Sequence, residues 1–112
     1  MYETKTDTSA LAWSPTNWPG VSMKMLQQVE STGGMIGMLR MDAGSSIPAH
    51  RHTHADQAVF VVEGDLIDEG ITYGPGTLLV AKAGTPHGPH TSSRGCALLS
   101  TYFGKPDFVP LG

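Results

Sequence analysis

The sequence predicts an all-β domain closed on itself as a sandwich or barrel, and for a chain of 112 residues the double-sheet jelly roll is the closed form of that size. Three observations carry this. Short apolar runs rich in β-branched residues recur with turn signals about every 8 to 12 residues. The 14 glycines and 8 prolines punctuate the chain too often for long helices. No run keeps a helical period beyond a turn or two. The length suits one domain and not two. Residues 1–112 are therefore read as a single unit, with an irregular N-terminal arm over 1–20 and a C-terminal arm over 104–112.

Taken in order, the N-terminal arm is polar and closes with TSALAWSPTNWPG. Its prolines predict an irregular strap laid over a sheet, with Trp13 and Trp18 buried there or against a partner subunit. Residues 21–31 (VSMKMLQQVES) form the first strand; Val21, Met23 and Met25 share a face, although the alternation is imperfect. Thr32, Gly33 and Gly34 turn the chain into a second strand over 35–42 (MIGMLRMD). The methionines of these strands are adaptable core fillers, or the wall of an apolar pocket. After a turn at 43–46, residues 47–52 form a short extended segment, and Pro48, which lacks an N–H, places it at an edge or a segment start.

Residues 57–63 (QAVFVVE) are the strongest strand, being β-branched, aromatic and compact. Gly64 and Asp65 turn it into a strand over 66–69, as a hairpin would. Tyr73-Gly74-Pro75-Gly76 is a turn, 77–81 (TLLVA) a buried strand, and Gly84-Thr85-Pro86 a break before an extended segment at 87–91. A turn at 92–95 leads to the last strand, 96–103, and the tail GKPDFVPLG reads as a loose arm that packs Phe108. The one cysteine, Cys96, lies in that last apolar run and reads as a small buried hydrophobe, since no charged neighbour in sequence would lower its pKa.

Composition excludes several classes of function. A net charge of −3 with no basic run argues against a nucleic-acid surface. No apolar stretch approaches a membrane span, and MYETKTDTSA lacks the apolar centre of a signal peptide, which predicts a cytoplasmic protein.

The chemistry concentrates in GSSIPAHRHTHADQAVFVVEG and KAGTPHGPH. His50, His52 and His54 stand at alternate positions, and His87 and His90 follow later. Neutral imidazole is the commonest metal ligand among side chains. On an extended chain His50 and His52 point to one face, and a third imidazole from an adjacent strand closes a facial site for a divalent ion. His54 falls in a turn between ligand strands, facing solvent or backing the ligands, with a place in the cage only if Gln57 does not bind. His90, three residues from His87, falls on the opposite face of an extended segment, outside the cage unless Pro89 breaks the alternation. Arg40, in MLRMD, is the catalytic candidate beyond the metal site: it would hold a substrate carboxylate or enolate from inside the barrel. As an exposed strand residue it would instead pair with Asp42.

These spacings resemble the two motifs of the cupin family. The first motif, G-x5-H-x-H-x(3,4)-E-x6-G, is filled by Gly44, His50, His52, Gln57 and Gly64, with Gln57 where the family usually has Glu. The second, G-x5-P-x-G-x2-H-x3-N, is filled by Gly76, Lys82, Gly84, His87 and Thr91, with Lys82 in place of Pro and Thr91 in place of Asn. The resemblance implies the double-stranded β-helix of the cupins and one divalent metal ion on His50, His52 and His87, with Gln57 at the fourth-ligand position. Within the family the chain resembles acetylacetone-cleaving dioxygenases, and HRHTHADQAVFVVEGDL also looks like the cupin domain of zinc-containing anti-sigma factors.

The resemblance and the residues together predict a metal-binding cupin that acts on a small molecule, a non-haem iron dioxygenase cleaving a small β-diketone or related enolisable ketone. Fe(II) suits that chemistry, while Zn, Ni or Mn also fit the ligands. Three neutral imidazoles and an uncharged Gln57 leave the full double charge on the ion, which suits an enolate. The alternative is a non-catalytic module that senses a metal or ligand. A sugar-nucleotide isomerase relative fits less well, with only seven Lys and Arg to meet a pyrophosphate. Small jelly rolls bury a sheet face by dimerising, so a homodimer is expected, with no nucleic-acid or membrane partner.

Overall fold

The computed structural model of the chain describes residues 1–111. Twelve strands in chain order are β1 (Ser14–Pro15), β2 (Val21–Val29), β3 (Gly34–Met41), β4 (Ser46–Ile47), β5 (His50–Arg51), β6 (Gln57–Gly64), β7 (Leu66–Asp68), β8 (Ile71–Tyr73), β9 (Leu78–Ala81), β10 (His90–Thr91), β11 (Cys96–Tyr102) and β12 (Val109–Pro110). One sheet runs β1-β2-β3-β11-β6-β9, a smaller one β4-β10-β7-β8, and β12 pairs with β5. Every pairing is antiparallel. This is the double-sheet jelly roll that the turn spacing predicts. Among the described residues no helix is long and apolar enough to cross a membrane.

The core lies where the inner faces of the two sheets meet. Val21, Met41, Val61 and Leu98 of the large sheet pack with Ile47 and Leu66 of the small one, and Cys96 fills the same cluster. Each such buried aliphatic side chain contributes about 1.5–3 kcal/mol by leaving water. Burial also raises the Cys96 thiol pKa, in keeping with a packing residue. Of the methionines, Met41 is in the core, Met23 and Met35 line a cavity, and Met25 is 42% exposed. The β2–β3 register slips between Met25 and Gln27, so the alternation that begins at Val21 does not last the strand.

Three elements differ from their sequence reading. Gly64 and Asp65 do not close a hairpin, because β6 and β7 belong to different sheets. Gly64, at φ +79°, sits where a Cβ would run into the Gly95 carbonyl, and the chain crosses there from one sheet to the other. The Asp65 carboxylate pins this corner: it accepts from the Ser92 hydroxyl (2.9 Å), the Ser93 hydroxyl and the Arg94 N–H (2.9 Å). The hairpin in this region is β7–β8, turned by Glu69 (φ 51°) and Gly70 (φ 75°). Residues 77–81 are not a buried strand. They form the edge strand β9, whose Leu78 and Val80 are 60% and 66% exposed.

Both arms are tied down. Ser14 and Pro15 pair with Met23 and Ser22. The Trp13 ring lies 4.5 Å below both the Lys24 ammonium and the Arg40 guanidinium. The C-terminal arm is not loose: Val109 and Pro110 pair with Arg51 and His50, and Phe108 stacks on His50. Gly112, its last residue, lies outside the described residues.

Candidate metal centre

His50 and His87 face each other across an isolated antiparallel bridge. Each donates its backbone N–H to the other's carbonyl, both at 2.9 Å, so the two rings leave the backbone side by side on one face. His52, two residues on, returns to that face. One nitrogen from each of His50, His52 and His87 lies within 4.8 Å of the others, and ring centroids are 4.5–5.3 Å apart.

The ring orientations are fixed from behind. His50 donates Nδ1–H to the Pro48 carbonyl at 2.8 Å, and His52 donates Nδ1–H to the Asp107 carbonyl. A carbonyl only accepts, so both rings carry their proton on Nδ1 and leave Nε2 as a lone-pair donor. Asp107 is held in turn by its Oδ1, which accepts the Thr53 N–H at 2.6 Å. Buried Nε2 atoms of His52 and His87 have no partner in the protein, and neither does the Oε1 of Gln57. Gln57 donates Nε2–H to the Ser100 hydroxyl at 2.9 Å, which fixes the amide so that its oxygen is the free end. Buried polar atoms without partners are rare. Three of them lining one cavity, with His52 Nε2 and Gln57 Oε1 both acceptors, fit a cation.

Burial keeps the His87 and His50 imidazoles neutral. The His87 pKa is lowered to about 4, first by desolvation and then by the neighbouring His50, His90 and His52. His50 is lowered for the same leading reason, partly offset by its bond to Pro48. A ring that is neutral at pH 7 coordinates a metal without first losing a proton.

The cage opens on a cavity of about 620 Å³ between the sheets, walled by Met23, Met35, Leu39, Val59, Leu79 and Leu98. Tyr102 packs edge-on to His52 at 4.9 Å, and Phe108 stacks on His50 at 4.3 Å. Small side chains, Gly37 and Ser100, face each other on paired strands of the same wall.

Other sequence candidates sit elsewhere. Arg40 lies on the outer face of β3 over Trp13, remote from the cavity, and pairs with neither substrate space nor Asp42. His54 is exposed and outside the cavity lining. His90 was expected on the far side of the segment, yet its ring lies 5.2 Å from that of His87 and 5.6 Å from that of His50. The reason is local: His87 makes an isolated bridge with His50, Gly88 takes φ +87°, and β10 starts afresh at His90, so strand alternation does not run from one to the other. His90 Nε2 lies 3.4 Å from Asp68 Oδ2, directly across the β10–β7 pairing. Asp68, Asp107 and Phe108 carry no spacing signal that sequence reasoning could use; the topology alone brings them to the cage.

Fold and site together define a small cupin with a candidate three-histidine metal centre. The chain belongs to the ChrR cupin-like domain family, whose profile matches residues 2–105. Similar solved structures include a putative acetylacetone dioxygenase from Methylibium petroleiphilum PM1, with 18% identity, a TM-score of 0.83 and 100% of this chain aligned to 88% of that one. An acetylacetone dioxygenase from Acinetobacter johnsonii is 16% identical with a TM-score of 0.74, over 92% of this chain and 74% of the other. The complex of Rhodobacter sphaeroides SigE with the anti-sigma ChrR aligns at 19% identity and a TM-score of 0.71, over 86% of this chain and 51% of that one. At these identities the likeness is one of fold. No curated protein matches the sequence.

Proposed function

We propose that the chain is a metal-dependent dioxygenase that cleaves a small β-diketone or a related enolisable ketone, with a ferrous ion held by His50, His52 and His87 and the Gln57 amide oxygen at a fourth position. The observation that carries the reading is the conjunction of an all-neutral donor set with an apolar cavity directly in front of it. When bound, an ion on neutral donors keeps its full charge, supplying Lewis-acid stabilisation to an enolate and, as Fe(II), redox chemistry with dioxygen. The similar structures described as acetylacetone dioxygenases support this choice of substrate class.

The chain's own residues do the rest. Pro48 and Asp107 carbonyls hold the His50 and His52 rings in one tautomer, and Ser100 holds the Gln57 amide. The methionine and leucine wall takes the alkyl groups of the substrate and excludes water. His90 is the base nearest the cage. With Asp68 at its Nε2, its Nδ1 is left to accept the proton that enolisation releases, and burial keeps it neutral beforehand.

The test is dioxygen uptake by the chain loaded anaerobically with Fe(II), against pentane-2,4-dione and a short series of β-diketones. Uptake matched to substrate consumed, and lost in His87→Ala, supports the reading. A tightly held metal with no uptake for any diketone contradicts it. That outcome favours the second reading, a sensing module acting on a partner protein, which the family match and the likeness to anti-sigma ChrR support.

A further inference from the structure

The strand register stacks the inner face of the six-stranded sheet into cross-strand rows that lead away from the cage. The first row is Met35, Tyr102 and Gln57, and it holds the free amide oxygen and the ring packed on His52. The second row is Gly37, Ser100 and Val59. The third is Met23 with Leu39 and Leu98. All three rows line one cavity with His50, His52 and His87. Residues two apart on a strand are about 7 Å apart, so the third row lies roughly 14 Å from the first. Polarity falls along the way. The first row carries an amide and a phenol, the Ser100 hydroxyl of the second is turned to Gln57, and the third is wholly apolar.

Gly37 is the gap in this wall. It lies in the middle of β3, paired on both sides, at a φ outside the left-handed region, so the backbone there does not require glycine. A glycine inside a strand weakens it and commonly marks a place where a ligand comes close to the backbone. A Cβ on Gly37 would stand 3.5 Å from the Met35 Cε and 3.3 Å from the Lys24 carbonyl, and a longer side chain would part the first row from the third. With no side chain there, and only a serine opposite, the slot is continuous. Pentane-2,4-dione does not fill it. With C–C bonds of about 1.5 Å its extended chain is roughly 5 Å long, against about 14 Å of slot. At the roughly 30 Å³ that one water occupies in the liquid, a cavity of about 620 Å³ takes about 20 non-hydrogen atoms, and that dione has seven.

We infer that the site takes a β-diketone or related enolisable ketone bearing an unbranched apolar tail of about seven carbons, which passes Gly37 and ends against Met23, Leu39 and Leu98. Gly37 is then the residue that sets tail length. The head group rests on the function proposed above, whereas the tail subsite stands on the rows and the cavity alone. Each methylene laid along the slot leaves water, and the three rows it meets carry no charge.

Calorimetric titration with two homologous series tests it. One is the alkane-2,4-diones from pentane to tetradecane, added to the Zn(II)-loaded chain. The other is the alkan-2-ones of the same tails, added to the metal-free chain, where binding needs no ion. In both, affinity is expected to rise about threefold per added methylene and to level off at a tail of about seven carbons. Met23→Trp shortens the slot and is expected to bring the plateau forward by about two or three carbons. Gly37→Leu is expected to flatten both series, with far-UV circular dichroism reporting that each variant is folded. Affinity independent of tail length in the wild-type chain overturns the inference, and so does affinity that climbs without levelling. A plateau that both folded variants leave in place overturns the assignment of the slot. The two readings fail separately. A levelled alkan-2-one series with no dioxygen uptake from any dione keeps the tail subsite and removes the oxygenase, while uptake with pentane-2,4-dione beside a flat series does the reverse.

Discussion

His52 is committed before any ion arrives: its Nδ1–H is spent on the Asp107 carbonyl and its Nε2 is buried without a partner. His87→Ala removes one of the three clustered imidazoles, and divalent-metal affinity measured by titration calorimetry is expected to fall by roughly 100-fold or more. Gln57→Glu places a negative charge where a neutral oxygen stands. Metal affinity is expected to rise by about 10-fold, while binding of an anionic diketone weakens as the ion's charge is offset. Calorimetry of the metal and of the diketone in turn separates the two effects. At this scale the histidines were legible because metal chemistry leaves a spacing, His-x-His on one extended face. The orientation of Gln57 was not, since it depends on Ser100, on a strand that only folding brings alongside.

Strands and arms show where local reading stops. The C-terminal arm supplies the Asp107 carbonyl, the Phe108 ring and a strand pairing to β5; GKPDFVPLG announces that Phe108 packs, but neither where it packs nor the other two. Truncation before Pro106 is expected to keep the barrel, read by circular dichroism, and to lower metal affinity by about 10- to 100-fold. Asp107→Ala keeps the backbone carbonyl and is expected to cost less. Gly64→Ala forces a Cβ against the Gly95 carbonyl at a positive φ, and is expected to destabilise the fold by about 3 kcal/mol or more in urea denaturation. The β7–β8 hairpin escaped the sequence because its turn is Glu-Gly, not the Asn-Gly or Asp-Gly that announces two positive φ angles. Strands β2, β3, β6 and β11 were legible because each is a long apolar run ended by a glycine-bearing turn.

For the whole molecule, the buried histidines link stability to pH. In the metal-free chain the folded-state His87 pKa is about 4, against an ordinary value near 6.5 in the unfolded chain. Between those values the unfolded state binds the extra proton, so stability falls as pH falls from about 6.5 towards 4. His50 and His90 shift in the same direction. Hydrogen bonds hold Asp65 well below the usual carboxylate range and lower Asp107 in the same direction, so their contribution is lost only further down, below about pH 4. The melting temperature of the metal-free chain is expected to drop by roughly 5 °C or more from pH 7 to pH 5. A saturating divalent ion is expected to raise it at pH 7, because binding favours the folded state alone. The sheet order was legible only as a class. Alternation tells which residues turn inward, but not that β6 and β7 part into different sheets or that β9 is an edge.

The most direct test of the metal centre is a titration of the metal-free chain with Co(II), followed by its visible absorption. The account predicts one ion per chain in a nitrogen-rich site, with the signal abolished in His87→Ala while that variant stays folded. No visible band, or a band that His87→Ala leaves unchanged, would contradict it.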